Sequence, residues 1–232
     1  MKSIILLFIS LCFTMLLQAQ VSKTIEITAG SLKTSLTADE LNTVTNLTLT
    51  GIMDGRDFKT LRDTLPNLNV LDLTDIRIVA YNGNEGPSGN YCQAKTIPDY
   101  AFYNYITDKG KNSLTTVLLP SSITAIGYSA FQKCSGLTSV IIPSLVSTIG
   151  SGAFLSCNSL ISVNIPASVT SIGGSAFSCS GLISVDAGNP NYSSLDGVLF
   201  DKNRTTLLQC PTSKTGNYSI PSSVLYIGYD AF

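Results

Sequence analysis

The stretch LTTVLLPSSITAIGYSAFQKCSG, residues 114–136, recurs with little change in the two stretches that follow it. The second copy, LTSVIIPSLVSTIGSGAFLSCNS, occupies residues 137–159, and the third, LISVNIPASVTSIGGSAFSCSG, occupies residues 160–181 and is one residue shorter. A partial copy, YSIPSSVLYIGYDAF, covers residues 218–232. Such a period is typical of solenoids, in which stacked repeats bury one continuous core. The repeat therefore predicts a mainly β solenoid.

The first half of the repeat predicts two short extended segments. Val117 and Leu119 alternate with outward residues, which indicates a strand with one buried face. Pro120 ends that strand because proline has no N–H to donate. The next apolar pair, Ile123 and Ile126, is spaced for a tight turn or a short bent strand.

The second half of the repeat predicts a turn followed by core residues. A glycine follows the second apolar pair in each copy, where we expect a sharp turn to require a backbone conformation that a Cβ would resist. We expect the phenylalanine of each Ala-Phe pair to stack on its counterparts as an aromatic ladder. The positions are Gly127, Gly150, Gly173 and Gly228 for the turn, and Phe131, Phe154, Phe177 and Phe232 for the ladder.

Three cysteines occupy equivalent positions in the repeat. We expect the thiols of Cys134, Cys157 and Cys179 to be small buried apolar groups. A disulfide between adjacent coils and metal binding are the alternatives, although the sequence has no C-x-x-C pair and no histidine. The sequence leaves open the disulfide state of these residues and of Cys92 and Cys210.

Residues 1–20 have the pattern of a signal peptide. Lys2 supplies the positive charge, an apolar run extends from Ile4 to Leu17, and cleavage is expected after residue 19 or 20. This run is shorter than the roughly 20 residues of a transmembrane helix. The protein is therefore expected to be exported to the extracellular space or the cell surface, with no transmembrane span.

The rest of the chain is predicted to form an N-terminal cap and the solenoid. The cap is α+β, with a capping box at residues 37–40 and an amphipathic helix at residues 57–65. The last repeat is incomplete, so either the reading frame is truncated or self-association covers the last coil. The expected boundaries are 21–67 for the cap, 68–232 for the solenoid, 114–181 for the regular repeats, 188–205 for an inserted hairpin and 218–232 for the truncated repeat.

The composition argues against catalysis and nucleic-acid binding. Residues 114–181 carry a single charged side chain, Lys133, whereas phosphate binding needs concentrated lysine and arginine. The absence of histidine excludes Ser-His and Cys-His nucleophile pairs. A polysaccharide-acting enzyme of coiled β architecture would need clustered acidic and basic groups, which the nearly uncharged residues 114–181 do not supply. Four aspartates near one another in sequence fit helix, turn and strand ends better than an acid/base or cation site: Asp54, Asp57, Asp72 and Asp75. We expect no catalytic residue, metal or cofactor.

The repeat L-x-x-V-x-I-P-x-x-V-x-x-I-G-x-x-A-F-x-x-C resembles that of the BspA-like leucine-rich-repeat surface proteins of bacteria. LNVLDLTDIRI before it and GNPNYSSLDGVLF after it extend the resemblance to nearly all of the chain beyond residue 20. The proline after the first strand departs from the commonest leucine-rich pattern, in which an asparagine ladder would start there. The resemblance implies a right-handed coil with repeats of about 23 residues and a non-enzymatic role in adhesion. It carries over no binding residue.

Binding candidates are therefore sought among the outward residues. Leu118, Ile141 and Asn164 occupy the outward position between the buried strand residues of successive coils, and Asp186 is expected to continue the row. Two large apolar groups side by side on an exposed face often mark a contact site. The alternative is that a cap loop or the segment 78–96 covers them. The expected partners are host extracellular-matrix or cell-surface proteins.

A carbohydrate-binding module is the alternative function. Tyrosine rings could stack on sugars, although the absence of tryptophan counts against glycan binding. Two of the rings lie in the Gly- and Tyr-rich loop at residues 78–96, and long loops are often functional. The tyrosines concerned are Tyr81, Tyr91, Tyr100, Tyr103 and Tyr105.

Overall fold

A computed structural model describes residues 20–179 and 181–232 of the chain. The predicted signal peptide lies, except for its last residue, outside the described residues. The predicted β solenoid is confirmed, since short parallel strands stack coil upon coil and helices are few. The helices are α1 Leu32–Ser35, α2 Ala38–Thr43 and α3 Gly55–Asp63. The strands are β1 Ser22–Ile27, β2 Asn46–Met53, β3 Val70–Ile78, β4 Thr96–Ile97, β5 Tyr103–Asn104, β6 Lys109–Gly110, β7 Thr116–Leu118, β8 Ala125–Ile126, β9 Ser139–Val140, β10 Thr148–Ile149, β11 Ser162–Ile165, β12 Ser171–Ile172, β13 Leu182–Val185, β14 Tyr192–Leu195, β15 Val198–Asp201, β16 Thr206–Gln209 and β17 Tyr226–Ile227.

The first sheet joins the N-terminal residues to the repeats. Its strands lie in the order β1-β2-β3-β7-β9, all parallel, and β11 and β13 form a further parallel pair. The register aligns Leu47, Leu71, Val117 and Val140 in one buried row. The segment expected to be a cap thus supplies the first strands of the same sheet. The boundary between residues 67 and 68 stays a prediction.

The second apolar pair of each repeat forms a second parallel sheet. Its strands lie in the order β12-β10-β8-β4, and the register aligns Ile97, Ile126, Ile149 and Ile172. The spacing is compatible with a tight turn or a short bent strand, and the structure shows both: a turn in which the N–H of Ile123 donates to the carbonyl of Pro120, then a two-residue strand that ends at Ile126. The first two regular coils therefore contribute one strand to each sheet, with the core between them, and the third contributes β12 to the second sheet and β11 to the separate pair with β13.

Phenylalanine rings stack along the core. The centroids of Phe102, Phe131, Phe154 and Phe177 lie 4.9 to 5.5 Å apart, and adjacent ring planes differ by 3° to 16°. The expectation that Phe232 joins this ladder is wrong, because its side chain is 67% exposed. The antiparallel strands β14, β15 and β16 come between the third repeat and the last one, so the ladder is interrupted.

The turn glycines are required for a different reason from the one expected. The φ angles of Gly127, Gly150 and Gly173 lie outside the left-handed region. A Cβ on Gly150 would instead lie 2.6 Å from the carbonyl carbon of Gly127 and from the amide nitrogen of Tyr128. Glycine is therefore needed because adjacent coils approach each other closely at this turn.

The repeat cysteines are buried free thiols, as expected. The Sγ of Cys134 donates to the carbonyl of Phe102 at 3.5 Å, and the Sγ of Cys157 donates to the carbonyl of Phe131 at 3.1 Å. Burial raises the pKa of Cys134 to about 12. These thiols therefore stay protonated at neutral pH, and those of Cys134 and Cys157 link their coils to the preceding one.

An antiparallel hairpin interrupts the parallel stack after the third repeat. Strands β14 and β15 pair across Asp196 and Gly197, whose φ angles are +51° and +81°. Two left-handed residues in succession are typical of the type I′ turn that joins tightly paired strands. Strand β16 then pairs in parallel with β17, which lies in the partial repeat.

Candidate functional site

An outward row of side chains crosses the first sheet. Leu118 pairs with Asp72 on β3, and Ile141 follows directly after Val140, the residue that pairs with Val117. Leu118 and Ile141 are therefore neighbours on adjacent coils.

Asn164 continues this row in the next coil, where it pairs with Ser184. The expectation that Asp186 continues the row is wrong. The register of β13 on β11 is shifted by two residues from the alignment of the repeats and places Ser184 there instead.

The two apolar members of the row are open to solvent. Leu118 is 39% exposed and Ile141 is 72% exposed. The alternative that a cap loop or the segment 78–96 covers them is therefore wrong. Both side chains line a shallow groove of about 270 Å³. The other residues that line this groove are Thr74, Leu119, Ser121, Pro143 and Ser144.

Polar side chains lie on either side of this groove. A carboxylate oxygen of Asp72 accepts hydrogen bonds from the backbone N–H and the hydroxyl of Thr74, at 2.9 and 2.6 Å. The amide oxygen of Asn164 accepts from the hydroxyl of Ser184 at 2.9 Å. These contacts hold both side chains in place. The result is an apolar centre between two ordered polar edges.

Tyr81 and Tyr91 lie apart from this row and differ from each other. The guanidinium of Arg56 lies over the ring of Tyr81, 4.9 Å from its centroid, and the Tyr81 hydroxyl donates to Glu85 at 3.3 Å. One face of the Tyr81 ring is thus already occupied. The Tyr91 side chain is 56% exposed.

The other three candidate tyrosines meet in a cluster that also contains a tyrosine absent from the prediction. The centroid of Tyr100 lies 6.2 Å from that of Tyr103, 4.8 Å from that of Tyr105 and 5.3 Å from that of Tyr128. Tyr128 was missed because it belongs to the first regular repeat. Aligning the Ile and Ala-Phe positions of IPDYAF with those of IGYSAF would have placed it one coil away from Tyr100.

The aspartates at the start of α3 have structural roles. Asp54 is the N-cap of α3 and forms an ion pair with Arg56. The carboxylate of Asp57 accepts from the backbone N–H groups of Asp54, Gly30 and Leu32 at 2.7 to 3.0 Å. Burial raises the pKa of Asp57, and these three N–H groups oppose that rise. The carboxylates are therefore committed to holding the first coils together.

The described residues show neither a metal site nor a membrane span. Within residues 20–179 and 181–232, no three histidine, cysteine or acidic side chains come together as metal ligands would. None of the helices in the same part of the chain is both long and apolar enough to cross a bilayer.

A family model for the BspA type leucine rich repeat region matches residues 95–232 in six copies. The chain belongs to this family. BspA-type proteins are bacterial leucine-rich-repeat surface proteins, and membership indicates a protein-interaction role. The family is typically non-enzymatic. No curated protein matches the chain significantly.

Solved structures of other bacterial proteins are similar to this BspA-type chain. The pneumococcal vaccine antigen PcpA is 16% identical, with 91% of this chain and 46% of that one covered and a TM-score of 0.46. A leucine-rich repeat protein from Eubacterium ventriosum is 22% identical, with 74% and 45% covered and a TM-score of 0.45. A leucine rich cell surface protein from Faecalibacterium prausnitzii is 22% identical, with 78% and 61% covered and a TM-score of 0.37. The chain spans less than half the length of the first two.

Proposed function

We propose that this BspA-type protein is an exported, non-enzymatic module that binds another protein through the outward face of its first sheet. The binding face is centred on Leu118 and Ile141 and extends beyond that sheet to Asn164 on β11. The observation that supports it is the exposed Leu118 and Ile141 pair on adjacent coils. Host extracellular-matrix proteins and proteins on other cell surfaces are the partners that the family resemblance suggests.

The composition of this face suits a protein partner. Protein interfaces combine a water-excluding apolar centre with a polar rim. Leu118 and Ile141 supply the centre, and the Asp72 and Asn164 edges supply the rim. A stable complex needs about 800 Å² from each partner, so the partner must also cover the neighbouring row of Thr116, Ser139 and Ser162.

The groove is better suited to binding than to catalysis. The side chains that line it are threonine, leucine, serine, isoleucine and proline, and none of these is an acid or base near neutral pH. A polysaccharide-acting enzyme would need two carboxyl groups on either side of the scissile bond. The nearest carboxylate in the row, that of Asp72, is engaged by Thr74.

A double substitution, Leu118→Ser with Ile141→Ser, tests the proposal. Residues 21–232 are immobilised, and binding of a panel of purified extracellular-matrix and cell-surface proteins is measured by biolayer interferometry. Complete burial of a leucine or isoleucine side chain contributes about 1.5–3 kcal/mol. Both side chains are already partly buried in the free protein, so each contributes less than this on binding. We therefore expect about a 100-fold loss of affinity for the double variant.

Leu225→Ser is the matched control. Leu225 is 71% exposed, close to the 72% of Ile141, but lies in the last coil. We expect this variant to bind like the wild type and all three proteins to unfold at similar temperatures. Equal binding by the double variant and the wild type would reject the proposed face.

A further inference from the structure

The tyrosine cluster, defined by Tyr100, Tyr103, Tyr105 and Tyr128, lies outside the binding face proposed above. Tyr128 follows the second-sheet strand β8, whereas Leu118 ends the first-sheet strand β7. Tyr103 begins β5 of the short hairpin β5 to β6, and Tyr105 follows that strand. Two consecutive coils and a hairpin therefore bring these rings together.

Two of the four rings form the surface of the cluster. Tyr105 is 46% exposed and Tyr128 is 47% exposed, whereas Tyr103 is buried. The ring plane of Tyr100 makes angles of 45° with that of Tyr105 and 72° with that of Tyr128. Both exposed rings thus pack at an angle against the partly buried ring of Tyr100.

The cluster is held rigidly from beneath. One guanidinium nitrogen of Arg62 donates to the carbonyls of Tyr100 and Tyr103, at 3.1 and 3.2 Å, and the Arg62 side chain is only 6% exposed. The hydroxyl of Tyr103 donates to Asp108 at 2.6 Å, and Asp108 also pairs with Lys133 at 2.7 Å. A site that is ordered before binding loses less entropy when its ligand arrives.

Tyr100 has a left-handed backbone conformation, and other coils carry small or short polar residues at the same turn position. Its φ is +59°, and the same turn position holds Ser129, Gly152, Ser175 and Asp230 in other coils, each also with positive φ. The hydrogen bond from the N–H of Tyr100 to the carbonyl of Tyr128 has the same place in the turn as that from Ser129 to Ser151. A bulky side chain in this region is costly, by roughly 1–2 kcal/mol. The turn requires the conformation, but it does not explain a tyrosine there.

We propose that the tyrosine cluster is a binding site for neutral pyranose rings of a glycan. The apolar C–H face of a sugar ring packs on an aromatic ring, and the exposed side chains of Tyr105 and Tyr128 offer two such rings. Asp99 lies beside Tyr128, because one of its carboxylate oxygens accepts from the backbone N–H of Tyr128 at 2.7 Å.

The chemistry around the rings favours uncharged sugars. The second oxygen of Asp99 has no hydrogen-bond partner within the described residues and is placed to accept from a sugar hydroxyl. The same negative charge repels sialic and uronic acids. The site therefore selects neutral hexose or N-acetylhexosamine units.

Defined oligosaccharides test this site. Residues 21–232 are applied to an array of neutral gluco-, galacto-, manno- and N-acetylglucosamine oligosaccharides together with sialylated and uronic-acid ones. The dissociation constant for the strongest neutral oligosaccharide is then measured by calorimetry. Each stacked ring contributes enough to change affinity by about tenfold, so Tyr105→Ala and Tyr128→Ala should each weaken binding by about that factor.

Tyr229→Ala is the matched control, because Tyr229 follows Gly228 as Tyr128 follows Gly127 and is 88% exposed. We expect it to bind like the wild type. Tyr105→Phe and Tyr128→Phe retain the rings and should keep most of the affinity, which separates stacking from loss of structure.

The proposal is wrong if no neutral oligosaccharide binds at millimolar concentration, if acidic ones bind better, or if all three alanine variants lose affinity equally. It is also wrong if Tyr105→Ala and Tyr128→Ala weaken matrix-protein binding and leave glycan binding unchanged.

Discussion

Phe131 is the phenylalanine whose removal should most clearly reveal the stacked core. Its side chain is fully buried, and its ring lies between Phe102 at 4.9 Å and Phe154 at 5.2 Å. Truncation of a buried phenylalanine to alanine costs about 3–5 kcal/mol. Two lost ring contacts place Phe131→Ala in the upper part of that range, at about 4–5 kcal/mol. With a urea dependence of about 2 kcal/mol per molar, the unfolding midpoint should fall by about 2 M.

The measurement is equilibrium unfolding in urea, followed by circular dichroism, with Phe232→Ala as the control. Phe232 has the same place in the repeat but is 67% exposed, so its truncation should change stability by no more than about 0.5 kcal/mol. Phe131→Leu keeps most of the volume and gives a smaller loss that can be measured if Phe131→Ala does not fold. Equal midpoints for the two alanine variants would refute the stacked ladder.

Two further predictions concern the turns and the thiols. Gly150→Ala should lower stability by about 1–3 kcal/mol because its Cβ would meet the backbone of the preceding coil, whereas Gly174→Ala, with nothing within 4 Å of the added Cβ, should be neutral or slightly stabilising in a thermal melt. Burial raises the pKa of Cys134 to about 12, so its contribution to stability is complete below about pH 9 and is lost as the pH rises towards 12. The free energy of unfolding should therefore fall between pH 9 and 10.5, by up to about 1.4 kcal/mol per pH unit for each such thiol, and less steeply in Cys134→Ala. An unchanged slope would contradict the thiol's role.

The regular coils could be predicted from sequence because their core positions repeat. Val117, Phe131 and Cys134 recur at nearly constant spacing, and each is a residue type with one clear role in a buried stack. The first strands are less clearly marked as coils of the same stack. Leu47 and Leu49 are buried in the same sheet, but the segment around them lacks the proline and the Ala-Phe pair that mark the repeat. The pattern thus specifies a coil only where its turn residues are present as well.

Phe232 and Tyr128 show what the periodic pattern does not record. Phe232 matches the repeat, but its place in the ladder depends on whether the preceding coil also supplies a phenylalanine at that position, and the inserted hairpin prevents this. Tyr128 lies far from Tyr105 in sequence, and its contact with Tyr100 depends on the register between two coils. Both outcomes depend on which coil lies next to which.

The solenoid separates the positions that build the fold from those that are free to bind. Core positions must match their neighbours above and below, so substitutions there are limited by stacking. Outward positions carry no such constraint, and they change from Leu118 and Ile141 to Asn164 in three successive coils. The position after the turn glycine likewise changes from Tyr128 to serine and then to glycine. The two proposed sites lie where these outward positions carry large apolar or aromatic groups that stacking does not require, and binding is the function that such groups best serve.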